Sequence, residues 1–171
     1  MRNIAICIIA LAFGLAVQAQ EKNPQQPAAD KHCEMMKRGD QKMGFSQEKT
    51  THHFSLYKDG GAIDVAANDA ADGESLAQIR THLSHIAGMF SAGDFEAPMF
   101  IHGTIPPGVA TMTKLHDQIE YRYKETAAGA EVRITTRNEQ ALDAVHAFLL
   151  FQMADHRTGD SPAIAEQAAE K

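Results

Sequence analysis

Two stretches of this chain follow one plan, and that shared plan limits the fold more than any other feature. In "HHFSLYKDGGAIDVAAN" (52–68), Phe54 and Leu56 alternate with polar neighbours, "KDGG" supplies turn chemistry, and Ile63 and Val65 alternate on the return. This is the pattern of a β-hairpin with one apolar face. "QIEYRYKETAAGAEVRITT" (118–136) repeats it with Ile119, Tyr121 and Tyr123, then Val132 and Ile134. Each hairpin precedes a helix-period segment. "ESLAQIRTHLSHIAGMF" places Leu76, Ile79, Leu83, Ile86 and Phe90 on one stripe, and Gly93 is its expected stop. "NEQALDAVHAFLLFQMADH" is the second helix, with Asn138 or the preceding threonines as its cap.

The halves align at one constant offset, with Tyr57-Lys58 on Tyr123-Lys124, Leu76 on Leu142, Leu83 on Leu149 and Gly93-Asp94 on Gly159-Asp160. A lone hairpin cannot bury its apolar face. The expected architecture is therefore α+β: a duplicated ββα unit forming a four-stranded antiparallel sheet with two helices on one face. "HAFLLFQM" in the second helix is apolar around most of its circumference, which predicts a homodimer contact.

The ends read differently. Residues 1–20 carry an early Arg2, an apolar run from Ile4 to Val17 and small residues near Ala19, the anatomy of a secretory signal peptide. The run of about fourteen residues is short for a membrane span, which needs about twenty. A periplasmic or secreted protein with no membrane attachment after cleavage is expected. Residues 21–42 read as a flexible leader, 43–160 as the domain and 161–171 as a tail. Cleavage would remove Arg2 and Cys7, taking the net charge from −6 to −7 and leaving Cys33 without an internal disulfide partner. The acidic balance argues against nucleic acid, because phosphate binding needs a basic footprint.

The chain holds nine histidines. At about 100° per residue, the apolar stripe of the first helix centres at about 310°, with His82 at about 240°, Met89 at about 220° and His85 at about 180°. These three form a stripe beside the core. Successive strand residues face opposite sides, so His52 shares the face of Phe54 and Leu56, and His53 that of Ser55 and Tyr57. His52 is the better partner for His82 and His85, and His53 replaces it if the strand begins later. In the second helix His146, at about 40°, and His156, at about 320°, sit on the apolar stripe centred at about 350°. For His146 the expectation is a buried neutral ring bonded to a carbonyl or tyrosine. A further cluster of soft donors, His32, Cys33, Met35, Met36 and Met43, precedes the first hairpin.

At "TTHHF", "HLSHIAGMF", "GDFEAPM" and "FLLFQMADHRTGD" the sequence resembles a family of small secreted bacterial proteins over roughly Met43 to Asp160. Some members of that family carry an aspartate carbamoyltransferase label. That activity needs a basic phosphate-and-carboxylate site in a much larger two-domain fold, so the resemblance implies a fold unit and no chemistry.

The leading functional expectation is a transition-metal protein, copper before zinc, with ligands among His52, His53, His82, His85 and Met89. The alternatives are a haem or small apolar ligand held by a histidine of "HLSHIAGMF" or His146 in a pocket walled by Phe90, Phe148 and Phe151, and a dimer that binds no metal. A hydrolase using a histidine with Asp94 or Asp64 ranks last, because no serine or cysteine sits in a recognisable nucleophile setting.

Overall fold

The computed structural model describes residues 26–166. The expected signal peptide, Cys7 and the last five residues lie outside the described residues. The fold is α+β, with five α-helices and a mixed five-stranded sheet among the described residues.

Strands β1 (Thr50–Tyr57) and β2 (Gly60–Ala67) form the first hairpin, and β3 (Ile119–Glu125) and β4 (Gly129–Thr136) the second. Tyr57 pairs with Gly60 across a two-residue loop. Gly60 has φ 148°, and a Cβ there would lie 2.0 Å from the Ile134 carbonyl oxygen, so the turn requires glycine. The hairpins join through antiparallel pairing of β2 with β4, with Ile63 opposite Val132. A short β5 (Ile164–Ala165) adds in parallel to β1, giving the order β3-β4-β2-β1-β5. The sheet is thus not the purely antiparallel four-stranded one expected. The tail supplies the extra strand because β1 leaves backbone groups open at its outer edge.

Helix α2 (Gly73–Ser91) follows the first hairpin and α5 (Glu139–His156) the second. Asp72 and Asn138 cap them, accepting hydrogen bonds from the backbone N–H of Ser75 and Ala141. Gly93 has φ 73°, in keeping with its expected role as a helix stop. Each helix crosses to the other hairpin: α2 packs mainly on β4 and β3, and α5 mainly on β1 and β2. The strand faces beneath them bury Phe54, Leu56, Val65, Val132 and Ile134. Burial of each large apolar side chain stabilises the fold by about 1.5–3 kcal/mol.

Two regions depart from the expectations. The segment read as a flexible leader forms helix α1 (Gln26–Met43) over most of its length. Its mean character is polar, but Met35 and Met43 are 2% and 7% exposed, so two methionines on one side dock it against the domain. The stretch after Gly93, for which the sequence pattern announces no helix, contains α3 (Glu96–His102) and α4 (Val109–Lys114), then a 3₁₀ turn. Helix α4 packs on α5, and Phe151 meets the His102 ring of α3. Much of the second apolar face of α5 is therefore covered by its own chain, with Leu150 left 39% exposed. Among the described residues no helix is long and apolar enough to cross a membrane.

Candidate functional site

The parity of β1 directs His52 inward beside Phe54, under the helices, and from there the site can be assembled ring by ring. His52 stacks on His156 at the end of α5, with ring centres 5.3 Å apart, and His156 meets His102 edge-on at 5.1 Å. His82 on α2 packs its edge against Phe45 at 5.5 Å, and Phe45 stacks on His52 at 6.1 Å. Together these four histidines, with Gln152 and Met43, line a cavity of about 60 Å³ whose other walls are apolar, including Phe54, Phe90 and Phe148. A volume of that size holds an ion or a few waters, since one water needs roughly 10–15 Å³ on this measure.

The rings fall into two groups. His102 is anchored: its Nδ1 lies 2.5 Å from Asp155 Oδ2 and its Nε2 2.8 Å from Gln152 Oε1. His32 of α1 is held by the same residue, its Nδ1–H donating to the Asp155 backbone carbonyl at 3.2 Å. Asp155 thereby orients two imidazoles through Nδ1, the outer-shell arrangement that sets the tautomer of metal-binding histidines. His52, His82 and His156 make no hydrogen bond to any described residue. Burial pushes His52 down to about 4, with repulsion from His82 and then His53 adding to it. Burial likewise takes His82 to about 4, ahead of the nearby His85 and Lys42. His156 falls to about 2 through burial, followed by the neighbouring His52, His102 and His32. All three are neutral at pH 7 and carry free lone pairs.

Of the five residues expected as ligands, the fold brings His52 and His82 to the cavity. His53 faces the opposite side of the sheet, where its Nδ1 contacts Asp160 Oδ1 at 2.8 Å; the other Asp160 oxygen accepts from the Phe54 N–H. His85 is exposed on the outer side of α2, and Met89 packs, half-buried, against the core. His146 is half-buried and makes the carbonyl contact expected of it, its Nε2–H donating to the carbonyls of Tyr57 and Gly60, both at 2.9 Å. His116 likewise donates from Nδ1 to the Ser91 carbonyl at 3.0 Å.

Sequence reasoning placed His156 on the apolar stripe without connecting it to His52, and it did not single out His102. The usable signal for His156 was an imidazole at a core position of a helix. His102 offered little, because its role depends on a helix that the local pattern did not announce.

Among the described residues no three His, Cys, Asp or Glu side chains converge into a preformed metal-binding group. The 5.3 Å between the His52 and His156 ring centres is nevertheless compatible with a shared ion. Two imidazoles bound at about 2.0–2.1 Å keep their centres roughly 5 Å apart. His52 and His156 would have to rotate from their stacked, 15° arrangement to aim nitrogens at one point.

No family model matches the chain, and no curated protein or solved structure matches it.

Proposed function

We propose that this chain is a periplasmic or secreted transition-metal binding protein, copper before zinc, whose ion sits in the histidine-lined cavity. The ligands are drawn from His52, His82 and His156, with His102 adjoining. The observation that carries this reading is the three neutral, hydrogen-bond-free imidazoles from three different elements around one small hollow. Two of the rings, His52 and His156, are stacked, and His82 lines the same hollow, so nitrogens that no described residue engages stand around one space that a common partner can fill. Neutral rings bind an ion without first losing a proton. The Met43 thioether in the same lining supports copper, because soft sulfur ligands favour the cuprous ion. Relative to the expected ligand set, His156 joins His52 and His82, while His53, His85 and Met89 drop out; both His102 nitrogens are held by Asp155 and Gln152.

The haem alternative is weaker on volume, since pockets for organic ligands run to about 300–1,000 Å³ and this cavity holds about 60 Å³. Duplication of a ββα unit belongs to the same proposal. In the alignment that sets Leu76 on Leu142, His82 corresponds to Phe148 and Phe90 to His156. All four line the cavity. One half of each pair would then have been turned from packing to coordination. Superposition of residues 52–94 on 118–160 tests that relation, and the absence of a twofold would remove it.

The functional test is metal analysis and copper titration of protein exported to the periplasm and purified without an affinity tag. Stoichiometric binding that weakens about tenfold or more in His82→Ala and His156→Phe is expected. Unchanged affinity in both variants, with circular dichroism intact, would refute the reading.

A further inference from the structure

The cavity has a neighbour on its outer side. Between the end of α1 and the middle of α2 lies a shallow hollow of about 340 Å³, whose lining includes Met43, His82 and the exposed His85. Met43 and His82 line both spaces, so these two side chains form the partition between solvent and the cavity. His85 stands one helical turn beyond His82, the spacing at which side chains on a helix are neighbours. Met43 is the last residue of α1, and the next residue, Gly44, has φ 77° and open space around it. The thioether therefore stands where α1 gives way to a left-handed turn. Lys42, the only lysine or arginine among the described residues lining the hollow, lies 3.8 Å from Glu96 and 5.9 Å from the Phe100 ring centre, which draws its charge towards α3.

We infer that this hollow is the loading port for a cuprous ion, with His85 as the capture ligand and Met43 with His82 as the exchange pair that passes the ion inward. The inference rests on the metal-binding reading and adds a direction and an oxidation state to it. The transfer is ligand exchange: the bond from the ion to the His85 nitrogen breaks as bonds to the Met43 sulfur and the His82 nitrogen form. His85 is released unchanged, the copper stays cuprous, and no proton is displaced from the Met43 sulfur or the His82 nitrogen. A thioether at the partition suits the cuprous ion and offers little to zinc, whose protein ligands are nitrogen, oxygen and thiolate. His85 then has a use although it does not reach the cavity.

The experiment follows transfer of Cu(I) from a coloured bidentate chelator to full-length mature protein, reading rate and equilibrium separately. His85→Ala is expected to slow acquisition about tenfold while leaving equilibrium affinity within about twofold, because it removes an encounter ligand and not a resting one. His53→Ala, on the far face of the sheet, is the control and should change neither. Met43→Leu, close to volume-conserving, is expected to weaken Cu(I) binding while leaving Zn(II) binding as in the wild type. Wild-type loading kinetics in His85→Ala would overturn the port, as would a loss of affinity equal to that of His82→Ala, which would make His85 a resting ligand. Wild-type protein that takes no Cu(I) would instead overturn the metal-binding reading, and the port with it.

Discussion

Acidification should destabilise the metal-free protein well above the pH at which carboxylates titrate. His52, His82 and His156 all have native values near 4 or below, against 6.5 for an unperturbed ring. Below pH 6.5 the unfolded chain binds protons that the native state refuses, so the stability these rings contribute is fully present above 6.5. It is lost progressively as pH falls towards the native values. Each such group is worth about 1.4 kcal/mol per pH unit in that window. The three rings titrate as a coupled set, and together they remove up to about 4 kcal/mol by about pH 5.5. Asp64 works in the opposite sense: burial and then Glu131 raise it to about 6, so the native state takes up its proton first on acidification. It is partly exposed, and screening leaves it only a fractional offset. A loss of this size is a large part of the roughly 5–15 kcal/mol typical of a domain.

The assay is urea unfolding followed by far-UV circular dichroism between about pH 7.5 and pH 5.5, where the midpoint should fall by about 2 M. His156→Leu should remove about a third of the slope. A midpoint that stays level across that range, or a slope no larger than one histidine can supply, would mean that the rings are hydrated or paired and not buried as described.

Three further outcomes follow from particular contacts. Met35→Ala on α1 should cost about 2–5 kcal/mol if the helix is an integral part of the domain, measured by the same urea midpoint; a change under about 0.5 kcal/mol would mean that α1 is only loosely held. Gly108 has φ 84°, and a Cβ there would fall 2.1 Å from the Ala144 carbonyl oxygen on α5; Gly108→Ala should therefore destabilise by more than about 1 kcal/mol in thermal melts, and neutrality would deny the close α4–α5 approach. Asp155→Asn weakens the acceptor that orients His102 while leaving the His32 contact to the backbone, and copper affinity should drop about 10–100-fold in the titration; an unchanged value would detach His102 from the site.

Much of this fold is legible locally. Alternation in "HFSLY" and "AIDV" determines which side chains meet the helices, and it favours His52 as the inward ring; His53 stays open as the alternative until the strand's start at Thr50 is known. The side chain of Asn138 and the positive φ of Gly93 act within a few residues of themselves, so their roles as cap and stop are also readable from the chain. Helix α1 and the stretch after Gly93 are different. α1 is mostly polar and is held by two methionines whose burial depends on surfaces supplied by other elements. α3 is seven residues long, too short to stand alone, so packing decides its conformation. The site inherits this division. Sequence periodicity placed His52 and His82 beside the core, but only tertiary packing could bring His156 from the end of α5 and His102 from α3 into contact with them. An imidazole takes its character from what desolvates it and what bonds its nitrogens, and here those neighbours come from segments far away along the chain.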